Sequence, residues 1–205
     1  VRVEDICAAI RPDTVLISIM HANNETGAVQ PVEEIARVAR DAGIPFHTDA
    51  VQTCGKIPTD VAAMGCEFLT LSSHKINGPK GAGALFWRGK AKWDPLVFGG
   101  YQEQKLRAGT EGVHQVVGLG AATGLARRRR EGAFARMTEL RDWFVGELRK
   151  LVPDIVVNEA PVGKQLPGTL NLTFPGKEGI RLLAGLDCYG VSVSIGSACT
   201  ADSIE

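Results

Sequence analysis

The spacing of apolar residues changes from block to block along the chain. Thr14-Val-Leu-Ile-Ser-Ile-Met20 is a nearly continuous apolar run rich in β-branched side chains, which is typical of a strand buried on both faces of a parallel sheet. Polar residues 21–26 then predict a loop. Residues 31–43 open with Pro31, close with Gly43 and have apolar residues at helical spacing between them, so we predict a helix there.

The next blocks repeat this alternation. A second predicted strand starts at Ile44 and runs into residues 47–49, a short helix follows around residues 60–65, and a third strand covers residues 68–72. Strand, helix, strand, helix, strand is the signature of a parallel sheet joined by right-handed crossovers. We therefore expect an α/β fold with a mainly parallel sheet.

The remaining chain has a different pattern. After a strand over 82–87 and a polar Gly-rich stretch over 99–110, helical spacing extends over 111–151 with an interruption near Gly132. Short strands over 155–157, 169–174 and 191–195 flank a helix over 179–186. We expect residues 1–130 to be part of a large domain and residues 131–205 to be part of a smaller α+β domain. The basic run Arg127–Arg130 is interpreted as the solvated face of a helix.

Composition and charge narrow the range of functions. The 205 residues include 23 Lys and Arg against 23 Asp and Glu, so no net field would attract nucleic acid or an anionic membrane. No apolar run approaches the roughly 20 residues that span a bilayer. Five scattered cysteines without a secretory segment favour a reducing compartment, so we predict a cytoplasmic protein that acts on a small molecule. The four histidines lack metal-ligand spacing, and no metal site is predicted.

Polar motifs follow each of the three predicted parallel strands. They are His21-Ala-Asn-Asn-Glu, His47-Thr-Asp-Ala-Val-Gln and Ser72-Ser-His-Lys. Ligands of open α/β sheets bind outside the carboxyl ends of the strands, so we expect these side chains to converge on one crevice.

Three of these side chains suit pyridoxal 5′-phosphate (PLP) chemistry. Lys75, held just past a buried strand, is a candidate for an amine that forms a Schiff base. Asp49 is a candidate for the carboxylate that keeps the pyridine nitrogen of PLP protonated, and Gln52 is placed to donate to the phenolic oxygen of the ring. A lone lysine is usually a surface residue, and a lone aspartate is usually a turn or helix-cap residue. Only the combination of these side chains favours a PLP site.

The ordered motifs extend beyond these strand ends. Asn-Asn-Glu, His-x-Asp-Ala-x-Gln, Ser-x-His-Lys-x-x-Gly-Pro-Lys-Gly, Arg-Ala-Gly-Thr and Gly-Ser-Ala-Cys-Thr occur in that order along nearly the whole chain. Together they resemble the cysteine desulfurases, PLP enzymes of fold type I in the class V aminotransferase superfamily. The resemblance implies that the first predicted domain binds PLP and that the second carries a cysteine loop.

The resemblance also implies a role for each matching residue. Lys75 would form the Schiff base with PLP and act as the base at Cα, and Asp49 would pair with the pyridine nitrogen. Asn24 and Gln52 would lie beside the phenolic oxygen. Ser72 and His74 would bind the cofactor phosphate, and Thr110 would reach the phosphate of a neighbouring subunit, which implies a homodimer.

Cys199 separates a desulfurase from its relatives, because an aminotransferase on this fold needs no thiol there. Small residues surround it, which suits a loop that carries a thiolate to the substrate sulfur and away again. The implied reaction gives a persulfide on Cys199 and L-alanine from L-cysteine, with a sulfur acceptor or iron-sulfur scaffold as partner. The other four cysteines are interpreted as small buried hydrophobic residues: Cys7, Cys54, Cys66 and Cys188.

Three alternatives remain at the level of the sequence. A selenocysteine lyase or an aminotransferase could share the fold, and a sulfur-relay or scaffold protein could retain Cys199 without the cofactor. The family also uses an N-terminal phosphate loop, a histidine stacked on the ring and a C-terminal arginine that binds the substrate carboxylate. These elements are not found in the 205 residues, so we expect the sequence to be an internal or C-terminal piece of a longer enzyme.

Overall fold

The computed structural model describes residues 1–161 and 163–196. They form two compact units: residues 1–22 with 30–133, and residues 23–29 with the described residues from 134 onward. The boundary near residue 130 that the sequence suggested stays a prediction.

A four-stranded sheet forms the centre of the first unit. Its strands are β1 (Ile17–Met20), β2 (Phe46–Asp49), β3 (Phe68–Ser72) and β4 (Gly83–Trp87), and they lie in that order. The first three strands are parallel, with Ile17 opposite Phe46 and His47 opposite Phe68, whereas β4 is antiparallel to β3. This arrangement confirms the predicted α/β fold with a mainly parallel sheet.

Three helices belong with these strands: α1 (Val3–Ala9), α2 (Val32–Asp41) and α3 (Val61–Met64). The core contains Ile35 and Ala39 of α2, which are fully buried, together with Phe46 and Leu69 from the sheet. Acidic residues in the first turn favour the start of α2, and Gly43 at φ 70° follows its end, as predicted. The short helix α1 has no buried residue, and the apolar periodicity did not predict it.

One long helix, α4 (Val113–Leu151), runs from the first unit into the second. The predicted interruption near Gly132 is wrong, because the helix continues through it. A single helical glycine costs only about 1 kcal/mol relative to alanine, and its neighbours include good helix formers. Arg127, Arg128 and Arg129 are exposed on α4, as predicted, whereas Arg130 is half-buried.

The second unit contains two short antiparallel strands, β5 (Val156–Val157) and β6 (Leu172–Thr173), and helix α5 (Gly179–Cys188). Residues 23–29 join this unit through backbone hydrogen bonds from Val29 N to Lys164 O and from Leu166 N to Gly27 O, both 2.8 Å. The strand predicted over 191–195 is wrong. No strand pairs with this segment among the described residues, and apolar β-branched residues alone do not make a strand without a partner.

Across the described ranges, the helices are either too short or too polar to span a bilayer.

Candidate functional site

The carboxyl ends of the three parallel strands lie at one edge of the sheet. The backbone N–H of His21 donates to the carbonyl of Asp49 at 2.8 Å, and the N–H of Ala50 donates to the carbonyl of Thr70 at 2.9 Å. The parallel register therefore brings the polar residues that follow β1, β2 and β3 to adjacent positions. Five of the predicted site residues lie at this edge or directly after it: Asp49, Gln52, Ser72, His74 and Lys75.

Asp49 is the last residue of β2 and is half-buried. Its Oδ1 atom accepts a hydrogen bond from the backbone N–H of Val51 at 2.8 Å, which fixes the carboxylate at the start of the turn that follows β2. Oδ2 makes no hydrogen bond within the described ranges. One carboxylate oxygen is thus positioned to receive a cationic donor.

His47 lies two residues before Asp49 and connects the three parallel strands. Its Nδ1 atom lies 2.7 Å from the hydroxyl of Ser18 in β1, and its Nε2 atom lies 3.3 Å from the hydroxyl of Thr70 in β3. Burial lowers the pKa of His47, and the nearby charge of Asp49 offsets only part of this effect. The imidazole is therefore a neutral cross-strand bridge at neutral pH.

Lys75 belongs to a turn of 3-10 helix, Ser73–Ile76, that directly follows β3. The hydroxyl of Ser72 and Nδ1 of His74 are 2.8 Å apart at the start of this turn, and the Lys75 side chain is exposed. Asn77 ends the turn with φ 60°, a left-handed conformation that asparagine tolerates better than most residues. The turn thus presents a hydroxyl, an imidazole and an amine at the end of one strand.

The turn after β2 places Gln52 and Lys56 on one face. Hydrogen bonds from Cys54 N to Ala50 O and from Ile57 N to Thr53 O give residues 50–57 a helix-like path, so side chains four residues apart face each other. The Lys56 ammonium donates to Oε1 of Gln52 at 3.1 Å. Burial lowers the pKa of Lys56, and repulsion from Lys75 lowers it further, so the two amines are electrostatic neighbours.

A row of small residues on α4 supports these loops, and the sequence analysis missed it. A Cβ atom on Gly118 would lie 2.4 Å from Cγ of Pro79. Cβ of Ala122 lies 3.0 Å from where a Cβ on Gly78 would be, and Cβ of Ala126 lies 2.7 Å from the same position on Gly55. The available signal was the spacing of Gly118, Ala122 and Ala126 at i, i+4 and i+8, which puts small residues on one helix face.

The remaining predicted site residues are distributed differently. Asn24 is exposed and belongs to the second unit, whereas Thr110 is exposed in the first unit at the end of the Gly-rich stretch. Cys199 lies outside the described residues.

The burial predicted for the other cysteines is only partly correct. Cys66 is buried and Cys54 is half-buried, and burial raises the pKa of both thiols. Cys7 and Cys188 are exposed, so their interpretation as buried hydrophobic residues is wrong. Cys7 lies on α1, none of whose residues is buried, and Cys188 ends α5, where again none is buried.

The predicted site residues line neither of two cavities found in the described part of the chain. One of about 270 Å³ lies in the second unit between α4 and residues 167–170. The other, of about 370 Å³, lies in the first unit beside Arg40, Glu67 and Arg88. We base the candidate site on the strand ends because chemically suitable groups meet there, whereas neither cavity contains a comparable set.

The groups at the sheet edge fit the needs of PLP. PLP requires a carboxylate for its protonated ring nitrogen, an amine for its aldehyde and polar groups for its phosphate and phenolic oxygen. Asp49 offers a free oxygen within the described ranges, Lys75 offers an exposed amine, and the Ser72 hydroxyl lies beside the His74 imidazole. A parallel sheet with these groups at its carboxyl edge defines the class of PLP enzymes with fold type I.

The comparison with known families agrees with this class. The family model "Aminotransferase class-V" matches residues 1–204, and the chain belongs to that family. Enzymes of this family depend on PLP.

Curated relatives narrow the comparison further. The chain is 46% identical to "Cysteine desulfurase IscS" of Dictyoglomus turgidum over 98% of the chain and 51% of the relative. It is also 46% identical to the protein of the same name from Methanosarcina thermophila, over 98% of the chain and 50% of the relative. The chain therefore spans about half the length of the curated relatives it matches.

Solved structures give the same result. A "NifS-like protein" superposes with a TM-score of 0.90 at 36% identity, covering 100% of this chain and 56% of the other. The NifS-like protein from Rickettsia africae gives a TM-score of 0.89 at 32% identity, covering 96% and 55%. The fold of both units is thus that of NifS-like enzymes.

Proposed function

We propose that this chain is part of a PLP-dependent cysteine desulfurase. In the complete protein, sulfur from L-cysteine passes to Cys199, which becomes a persulfide, and L-alanine is released. The observation that carries the proposal is the 46% identity to curated cysteine desulfurases over 98% of the chain. The groups at the carboxyl edge of β2 and β3 support it, because they supply the donors that the cofactor needs.

Each residue at the sheet edge has a proposed task. Bound PLP supplies an electron sink that makes the Cα proton of the amino acid acidic. Asp49 holds the pyridine nitrogen in its protonated form, and Ser72 and His74 bind the phosphate. Lys75 would hold the cofactor at its aldehyde carbon and would serve as the base that accepts the Cα proton of the substrate.

Residues outside this edge complete the proposal. Asn24 and Gln52 bind the phenolic oxygen, and Thr110 binds the phosphate held by the second subunit of a homodimer. The thiolate of Cys199 would attack the substrate sulfur, so that a sulfur–sulfur bond forms and the carbon–sulfur bond of the substrate breaks. The electron pair of the broken bond stays on the substrate carbon, which takes up a proton and leaves as part of L-alanine. The persulfide then supplies a sulfur acceptor such as an iron-sulfur scaffold protein.

The predicted cytoplasmic location also stays a proposal. One relative, 44% identical over 100% of this chain and 45% of its own length, is the mitochondrial cysteine desulfurase of Arabidopsis thaliana.

Replacement of Lys75 and of Cys199 in the full-length protein tests the proposal, because the two variants should lose different steps of the reaction. Lys75→Ala should lose the visible absorbance of the bound cofactor and all Cα chemistry. Cys199→Ala should retain the absorbance and still bind cysteine, but persulfide formation should fall by at least about 100-fold, because a thiolate is the nucleophile for a divalent sulfur. Absorbance after rapid mixing, alanine release and protein-bound sulfur are the measurements.

Matched controls use residues outside the proposed site. Cys188→Ala removes an exposed thiol and Lys92→Ala removes an exposed amine, and neither should change the rate. Borohydride reduction followed by mass spectrometry should place the cofactor on Lys75. Sulfur transfer by Cys199→Ala at the wild-type rate would show that Cys199 is not the sulfur acceptor, and Cys199 would then no longer distinguish a desulfurase from other enzymes of the same fold.

A further inference from the structure

Lys56 is an unusual lysine for its surroundings. It is half-buried in the turn after β2, and no ion pair of the described ranges includes it. Burial and a neighbouring ammonium, that of Lys75, both lower its pKa. A charged lysine that is partly buried lowers the stability of the fold relative to a fully solvated lysine. Its contact with Gln52 therefore suggests a functional role.

The contact fixes the orientation of the Gln52 amide. A lysine ammonium has donors only, so the atom of Gln52 that it contacts at 3.1 Å must be the carbonyl oxygen Oε1. The amide nitrogen of Gln52, which can only donate, consequently faces away from Lys56. Without Lys56, the amide could turn over and present its oxygen where its N–H₂ group now lies, because this last torsion is broad and roughly two-fold.

We propose that Lys56 is a positioning residue that holds Gln52 with its N–H₂ group directed at the phenolic oxygen of PLP. This inference rests on the proposed function, since it deepens the role given there to Gln52. The phenolic oxygen is an acceptor, so a flipped amide would replace a hydrogen bond by the repulsion of two oxygens. Lys56 itself acts through Gln52 and not on the substrate.

The test measures binding of a cofactor analogue to the full-length apoprotein. The probe is 4′-deoxypyridoxine 5′-phosphate, which keeps the ring nitrogen, phenolic oxygen and phosphate but has no aldehyde, so attachment to Lys75 does not contribute. Lys56→Met should weaken binding about tenfold, which corresponds to about 1.4 kcal/mol, and Gln52→Met should weaken it by a similar factor. Lys56→Arg, which keeps a charged donor, should stay within about threefold of wild type. Lys92→Met is the control for the loss of one exposed lysine and should bind as wild type.

The double variant decides between positioning and independent roles. If Lys56 acts through Gln52, adding Lys56→Met to Gln52→Met should weaken binding by no more than about twofold. Additive losses, or wild-type binding by Lys56→Met, would overturn the inference. Thermal unfolding of each apoprotein checks the fold, and Lys56→Gln repeats the test should Lys56→Met prove unfolded.

Failure of the inference and failure of the proposed function give different results. Wild-type protein that binds the analogue and carries a borohydride-stable adduct on Lys75, combined with additive losses in the double variant, would remove only the role of Lys56. Wild-type protein that does not bind the analogue would remove the proposed function as well.

Discussion

At the scale of single residues, His21 shows how the turn after β2 is connected to β1. Its side chain is 6% exposed, and its Nδ1 atom lies 2.9 Å from the hydroxyl oxygen of Thr53. Thr53 has one hydroxyl proton and donates it to the carbonyl of Ala50 at 3.2 Å, so Nδ1 of His21 must carry a proton and donate. The ring is therefore the neutral Nδ1–H tautomer, and it ties the end of β1 to the turn that contains Gln52.

Burial lowers the pKa of His21 from 6.5 to about 4, and this makes folding depend on pH. Between these two values the unfolded chain binds the proton and the folded chain does not, so stability falls as the pH decreases from about 6.5 to about 4. The full loss from this residue is about 3 kcal/mol, at about 1.4 kcal/mol per pH unit.

We predict that His21→Asn reduces the acid sensitivity of the full-length protein. Asparagine can supply an N–H donor near the position of Nδ1 but does not titrate. Urea unfolding at pH 7 and pH 5 should show a smaller loss of stability for the variant than for wild type. His114→Asn, which replaces an exposed histidine outside the core, is the matched control. Equal acid sensitivity in His21→Asn and wild type would show that His21 already binds a proton in the folded state.

At the scale of elements, the small face of α4 determines how closely the loops of the site approach the helix. Gly118, Ala122 and Ala126 lie against Pro79, Gly78 and Gly55, which belong to the loops that follow Lys75 and Gln52. A Cβ atom on Gly118 would have to displace the rigid ring of Pro79, and a Cβ atom on Gly55 would meet the Cβ atom of Ala126.

We predict opposite effects for two alanine substitutions in this helix. Gly118→Ala would place Cβ 2.4 Å from the rigid ring of Pro79, so it should destabilise the protein by about 1–3 kcal/mol and weaken cofactor binding. Gly120→Ala meets nothing within 4 Å and should stabilise the helix by about 0.5–1 kcal/mol. Thermal unfolding and PLP affinity of the two variants are the measurements. Equal stabilisation by both substitutions would show that the loop containing Pro79 can move away from α4 without loss of stability.

At the scale of the whole molecule, residues 96–101, which lead into the Gly-rich stretch before Thr110, expose large apolar side chains. Leu96 is 93% exposed, Phe98 79% and Tyr101 77%. Exposed apolar residues that lie close together in the chain commonly mark an interaction surface. Thr110 follows in the same stretch, and we assigned it to the phosphate of a second subunit, so we propose that a second copy of the chain covers these side chains.

We predict that Phe98→Asp weakens the homodimer of the full-length protein. A carboxylate in an apolar interface loses its hydration without gaining a partner, so the dissociation constant should increase by at least about tenfold. Sedimentation at a series of protein concentrations measures the change. Val15→Asp, at a residue that is 82% exposed, provides the control and should leave the dimer intact. A monomeric wild-type protein, or an unchanged dissociation constant for Phe98→Asp, would contradict the proposal that a second copy of the chain covers Phe98.

Much of the fold and part of the candidate site could be predicted from the sequence. The apolar runs predicted the strands β1 and β3, and the apolar periodicity of α2 predicted its buried face, because such periodicity depends on local chain geometry. The burial of β1 on both faces was predicted wrongly, since Ser18 and Met20 are exposed and only Ile17 is buried. Their order implied a parallel sheet, and a parallel sheet implies that residues such as Asp49 and Ser72 meet at one edge. The sequence by itself therefore determined the fold class and the group of residues worth testing.

Only the tertiary structure decided which distant groups touch. The contacts of Gly118 with Pro79 and of Ala126 with the Gly55 loop join residues far apart in the chain, and local periodicity contains no information on such pairs. The exposure of Cys7 and Cys188 depends on what covers α1 and α5, which residue type alone does not determine. The orientation of Gln52 depends on a turn that places Lys56 against it, because a lysine ammonium can only donate hydrogen bonds and therefore contacts the amide oxygen.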